Sequence, residues 1–116
     1  MLKLHNYYRS SAAYRVRIAL ELKNLHWESI PVNLGLGEQS LEAFLKYNPQ
    51  GLVPVLESNG NHFSQSLAII EFLEEMNPET PLLPNNIVER AQVRRFAQQI
   101  AMEIHPLNNL RVLKYL

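Results

Sequence analysis

The sequence contains no cysteine, which excludes a disulfide framework, a Cys-ligated zinc site, an iron–sulfur cluster and a protein thiol nucleophile. Any thiol chemistry must therefore use a thiol that arrives from outside. Charge of one sign is also lacking: 11 Lys+Arg stand against 11 Asp+Glu, for a formal net charge of +0. A surface that neutralises phosphates normally carries a basic excess on one face, so nucleic acid is not an expected partner. No apolar run approaches the roughly 18 residues of a membrane span, and Met1 to Tyr8 lacks the apolar core and cleavage site of a signal peptide. No membrane partner is expected, and a cytoplasmic location follows. His5, His26, His62 and His105 show no metal-ligand spacing, so no metal is expected. Repeats and low-complexity segments are absent as well.

What remains is an ordinary globular composition, with 47% hydrophobic residues in 116, enough for one modest core and an appendage. Leu2 to Tyr8 alternates apolar and polar residues and reads as a strand entering a loop. Ser10 and Ser11 are hydroxyl residues of the helix-capping kind, and the stretch from there to Asn24 holds no Gly or Pro, which predicts a helix. Its polar stripe is Arg17, Glu21 and Asn24, while Val16, Ile18, Ala19, Leu20, Leu22 and Leu25 predict a largely buried remainder. Trp27 to Asn33 reads as a second strand, parallel to the first because a helix joins them. The loop Leu34 to Gln39 carries two glycines, and Ser40 to Tyr47 predicts a short helix ending before Asn48-Pro49. Val53 to Glu57 is β-rich, and Ser58-Asn59-Gly60-Asn61 predicts a hairpin into His62-Phe63. From Leu67 to Met76, Ile69, Phe72, Leu73 and Met76 form an apolar face with Glu71, Glu74 and Glu75 turned outward.

The order β-α-β then β-β-α, with short connections, predicts an α/β thioredoxin-like sandwich of a mixed sheet covered by helices. Pro78, Pro81 and Pro84 mark a stiff linker, which divides the chain into residues 1–83 and 84–116. From Val88 a new helical pattern runs through Phe96, Ile100, Ile104, Leu107 and Leu110, with Pro106 expected to kink or break it near His105.

Four stretches carry a resemblance: residues 10–20 (SSAAYRVRIAL), Asn48-Pro49 followed by Val53-Pro54-Val55-Leu56, Gln65 to Ile70 (QSLAII), and His105 to Arg111 (HPLNNLR). Together they resemble the zeta class of glutathione transferases, the maleylacetoacetate isomerase type, along the whole chain. The resemblance implies that residues 1–83 are the thioredoxin-like, glutathione-binding domain. Residues 84–116 would be a linker and the first helix of an all-helical C-terminal domain, incomplete here. The family often shows Ser-Ser-Cys where this chain has Ala12, so a mechanism here must rest on the glutathione thiol.

The site residues follow from the residues and the resemblance together. Ser10 and Ser11 stand where a strand ends and a helix begins, a place that favours an anion. A plain helix cap would explain the same serines. The resemblance makes the anion a glutathione thiolate, held by Ser10 first, then Ser11, with the Ala12 N–H assisting. It implies a cis proline at Pro54, with the Val53 backbone open to pair with extended glutathione; an ordinary edge-strand proline is the alternative. Gln65 and Ser66 open another helix and match the holders of the γ-glutamyl end. Gln39 resembles the position that meets the glycyl end, and His105, Asn109 and Arg111 match a patch facing the tripeptide. The implied substrate is a small dicarboxylic cis-enone, maleylacetoacetate or maleylpyruvate, whose carboxylates suit guanidinium. Arg9 and Arg15 are the candidates. Arg15 lies in the apolar arc of its helix, so it pairs with a buried carboxylate, reaches the site, or meets a dimer interface. Arg17 reads as structural.

The implied reaction is reversible addition of the glutathione thiolate, rotation about the resulting single bond and expulsion of the thiolate, in a homodimer. A general transferase acting on electrophiles such as haloacids would use the same thiolate, and a non-catalytic thioredoxin-like interaction module would use none.

Overall fold

The computed structural model describes residues 1–105 and resolves into two compact units, Met1–Thr80 and Pro81–Leu116. The division falls after Thr80, a little before the boundary read from the prolines.

In the first unit four strands, β1 (Leu2–Asn6), β2 (Trp27–Pro31), β3 (Val55–Ser58) and β4 (Asn61–Ser64), form one sheet in the order β2-β1-β3-β4. β1 and β2 are parallel, as a helical crossover requires, and β3 runs antiparallel to both β1 and β4. The thioredoxin-like mixed sheet is thus present. Asn59 (φ 49°) and Gly60 (φ 82°) both take the left-handed conformation, which matches the twist of the strands they join and makes the expected hairpin.

Helix α1 (Ser11–Leu22) starts on a Ser10 cap and stops at Asn24, whose φ of 55° is left-handed. There the Leu25 N–H bonds to Leu20 O and the Asn24 N–H to Glu21 O, closing the last carbonyls in a Schellman arrangement. Tyr14, Ile18 and Leu22 are exposed, contrary to the largely buried helix expected. The three lie one turn apart on one stripe, and what α1 buries in this chain is the narrower arc of Ala13, Val16, Ala19 and Leu20.

The loop after β2 is more ordered than its glycines suggest. It folds into two 3₁₀ turns, Leu34–Leu36 and Glu38–Ser40, and the following helix α2 (Glu42–Leu45) is only four residues long. The Asn33 side chain accepts from the Leu36 N–H, and the Glu38 carboxylate accepts from the Asn33 N–H.

The register splits the sheet's two faces. Leu4 and Leu56 are paired and fully buried on one face; Phe63, next in that row, packs on Phe72 of α3 (Ser66–Met76) at 4.5 Å. With Val16, Leu20, Ile69 and Leu73 these form the main core, each large side chain contributing about 1.5–3 kcal/mol by burial. On the opposite face Val55 joins Val32, Phe44 and Val53 in a second, smaller cluster.

Glu74 is not turned outward as its helix pattern predicts. It is buried and pairs with Lys23 Nζ at 2.8 Å, and the ammonium also donates to Asn77 O (2.7 Å) and Thr80 O (2.9 Å). An ammonium has three donors, and all three are used to tie the end of α1 to the end of α3. The second unit carries α4 (Ile87–Gln98), capped by the Asn86 side chain on the Glu89 N–H, and a π-helical turn, Gln99–Ile104. Pro106, Leu107 and Leu110 lie outside the described residues.

Candidate functional site

Because β3 is antiparallel to β1 and β4 is antiparallel to β3, the end of β1, the start of β3 and the end of β4 share one edge of the sheet. Residues that follow or precede those strand ends must gather there. They are Ser10 to Ala12, Val53-Pro54 and Gln65-Ser66, three of the segments singled out from the sequence.

Ser10 is the N-cap of α1, and its Oγ accepts from the Ala13 N–H at 3.1 Å. A hydroxyl has one donor and two acceptor lone pairs, so capping uses the oxygen and leaves the proton. The cap and the anion site are therefore compatible in one side chain. Ser11 is exposed, and Ala12 is half-buried. Among the described residues the Ala12 N–H has no acceptor, so it is open to an anion at the positive end of the helix.

The loop before Ser10 is fixed from behind. Arg17 donates to Asn6 Oδ1 (2.9 Å) and Tyr8 O (3.3 Å), while Asn6 donates to Leu4 O and Ser29 Oγ. Arg17 is structural, as read, and what it holds is the turn that carries Arg9 and Ser10. Arg9 itself is exposed, its guanidinium 5.4 Å from the centre of the Tyr8 ring.

The Val53–Pro54 peptide is cis. Both residues are buried, and they precede a ladder that begins at Val55. Asn48 organises the approach, its Nδ2 donating to Leu52 O (2.8 Å) and its Oδ1 accepting from the Gln50 N–H (3.1 Å). From the sequence, Asn48-Pro49 was legible only as the end of the short helix and as part of the family resemblance. Gly51 has φ 66°, and a Cβ there would lie 3.1 Å from Gln39 O. The glycine thus lets the Gln39 turn close against the segment leading to Val53. Among the described residues Gln39 Oε1 is buried without a hydrogen-bond partner.

Gln65 sits at φ 71°, ψ 112°, does not cap α3 with its side chain, and donates instead to Gln50 Oε1 at 3.2 Å. A non-glycine residue at positive φ is costly and collects at ligand-holding turns. Ser66 is the first residue of α3 and is buried, with 7% exposure. Arg15 Nη1 donates to its Oγ at 2.8 Å, so of the alternatives read for Arg15, the structure brings it to the edge that gathers the site. Burial lowers the Arg15 pKa from its ordinary value, and among the described residues no carboxylate pairs with it. His105 follows the π-helical turn in the second unit. Asn109 and Arg111 lie outside the described residues.

A further polar group lies on the other face of the sheet. Buried His5 approaches Glu57 at 3.7 Å, His62 approaches the other Glu57 oxygen at 3.6 Å, and the Tyr47 ring lies 4.8 Å from each imidazole. Burial pulls the His5 pKa below the ordinary imidazole value, and Glu57 only partly offsets this. Among the described residues no three His, Cys, Asp or Glu side chains form a metal-binding group.

Residues 9–76 match the model of the glutathione S-transferase N-terminal domain. The chain is 51% identical over 117 residues to a probable maleylacetoacetate isomerase of Vibrio cholerae, with 99% of this chain and 54% of that protein covered. It superposes with a TM-score of 0.94 and 45% identity on the holo structure of a maleylpyruvate isomerase, described as a bacterial glutathione S-transferase of the zeta class, covering 97% of this chain and 53% of that one. Maleylacetoacetate isomerase from Methylobacterium extorquens AM1, with bound malonate and glutathione, gives 0.93 at 44% identity, with 97% and 53% covered. The chain spans about half the length of the curated relatives it matches. With the match to its N-terminal domain over residues 9–76, the chain belongs to the glutathione S-transferase family, and the relatives it resembles include zeta-class members.

Proposed function

We propose that this chain is the glutathione-binding half of a glutathione-dependent cis-trans isomerase acting on maleylacetoacetate or a close dicarboxylic cis-enone. The observation that carries the reading is the hydroxyl of Ser10, whose oxygen is occupied by the Ala13 N–H while its proton remains to donate. Bound glutathione would supply a thiolate able to add reversibly to the double bond, so that rotation can follow. The chain's part is to keep that sulfur anionic. A free thiol titrates near 8.5; a donating hydroxyl, the open Ala12 N–H and the α1 dipole all favour the charged form.

The donor set suits an extended anionic tripeptide. Ser10, Ser11 and Ala12 would meet the sulfur, the Val53 backbone the middle, Gln65 and Ser66 the γ-glutamyl end, and Gln39 the glycyl end. Arg9, exposed beside Ser10, would take a substrate carboxylate. His105, Asn109 and Arg111 complete the set by resemblance to the family, as does a cytoplasmic homodimer. A general transferase would use the same serines on other electrophiles.

Isothermal titration with glutathione, followed by turnover on maleylacetoacetate against a chlorinated acid, tests the reading. The expected result is binding and preferential isomerisation of the cis-enone. Faster turnover of the chlorinated acid favours the general transferase, and absence of glutathione binding leaves the interaction module.

A further inference from the structure

A guanidinium carries five N–H donors and a permanent charge. Arg15 is half-buried, and its one described hydrogen bond goes to a neutral hydroxyl, Ser66 Oγ, 51 residues away in sequence. A partly desolvated cation that meets no carboxylate among the described residues is an expensive arrangement unless an anion completes it. The side of Ser66 is equally incomplete. Its oxygen accepts from Arg15, and among the described residues its own proton has no acceptor. Gln65 supplies no side-chain cap, so the first N–H groups of α3 stay open beside that proton. The first hydrogen bond within α3 is Ile69 N–H to Gln65 O.

These facts run in one direction. Arg15 occupies one of the two lone pairs of Ser66 Oγ and sets a positive charge beside it, which biases the hydroxyl toward giving its proton to an anion. Gln65 brings no charge to this place, and its Nε2 already donates to Gln50 Oε1. We propose that Arg15 is a positioning residue for glutathione, acting through Ser66, and that it makes this pocket select a ligand whose γ-glutamyl α-carboxyl group is ionised. It is thereby assigned to the glutathione end of the site and not to the dicarboxylic substrate. The inference rests on the glutathione reading above and adds the residue that sets charge selectivity within it.

The test compares two ligands on one chain: glutathione, and glutathione whose γ-glutamyl α-carboxyl is converted to the neutral amide. Titration calorimetry on the unsubstituted chain, Arg15→Met, Arg15→Lys and Ser66→Ala gives the affinities, and thermal melting reports folding. A charge-assisted hydrogen bond of this kind predicts a loss of roughly tenfold to a hundredfold for glutathione in Arg15→Met. The amide, already weak on the unsubstituted chain, should change by less than about threefold in Arg15→Met, since its missing charge is what Arg15 reads. Arg15→Lys should fall between, keeping the charge and losing the fork. In a Ser66→Ala background the Arg15→Met loss should shrink, because the two act as one unit. Equal losses for both ligands would show a merely structural arginine and overturn the proposal while leaving glutathione binding intact. No glutathione binding to the unsubstituted chain would overturn the proposal and the reading beneath it together. If Arg15→Met does not fold, Arg15→Lys against the same two ligands decides the matter by the same comparison.

Discussion

Ser10 has two jobs that a single substitution would confound, and two substitutions can separate. Its Oγ caps α1 through the Ala13 N–H at 3.1 Å, and its proton is proposed to hold the glutathione sulfur. Replacing a serine cap by alanine costs about 1 kcal/mol of stability, whereas glycine costs only a few tenths, because glycine relieves the strain at the cap and lets water reach the helix end. Ser10→Gly therefore removes the hydroxyl with little harm to the fold, and Ser10→Ala removes both. The hydroxyl's donation to a thiolate is a charge-assisted bond worth roughly 1.5–3 kcal/mol. At about 1.36 kcal/mol per pKa unit, its loss should raise the thiol pKa of bound glutathione by about 1–2 units. The assay is a pH titration of the ultraviolet absorbance of the thiolate at saturating glutathione, with urea unfolding of each variant in parallel. Both variants should show the same raised thiol pKa, and only Ser10→Ala should lose about 1 kcal/mol of stability. If Ser10→Gly leaves the thiol titration where it was, the hydroxyl is only a cap, and the anion is held by the backbone N–H groups and the α1 dipole.

Two further outcomes follow from buried charge on either face of the sheet. Lys23→Met removes the ammonium that pairs with buried Glu74 and should cost about 3–5 kcal/mol in urea unfolding, while Lys23→Met combined with Glu74→Leu should be more stable than Lys23→Met alone. A single-site loss under about 1 kcal/mol would show that the Lys23 ammonium is dispensable. His5 has a folded pKa below its ordinary 6.5, so the unfolded chain takes up the proton first. Its contribution is complete above pH 6.5 and is lost as pH falls from there through the lower folded value, with no further change below it. Urea unfolding as a function of pH should show this decline, and His5→Gln should flatten it; an unchanged slope in that variant would place the titrating group elsewhere.

What could be read along the chain was what the chain decides locally. The Ser10 cap, the Asn59-Gly60 turn and the start of α3 at Gln65-Ser66 each follow from a few adjacent residues whose backbone preferences or hydroxyls settle the matter. The short helix after the glycine loop was read too long because the loop's side chains, Asn33 and Glu38, close it into 3₁₀ turns before α2 begins. Lys23 and Glu74 escaped for another reason. A helical pattern sorts charge by angle about one axis, and Glu74 lies on the outward arc of α3 when α3 is considered alone. The lysine that pairs with it arrives from the C-cap of α1, immediately before the left-handed Asn24 that ends that helix. Arg15 differs from Glu74 in a useful way. Its position in an apolar arc signalled from the sequence that it needed a partner, but three kinds of partner remained open, because nothing on α1 distinguishes them. The antiparallel return of β3 and β4 brings residue 66 to the edge from which α1 starts, and there Arg15 meets Ser66. A charge misplaced in its own helix thus points to a partner, and the order of the strands brings one within reach.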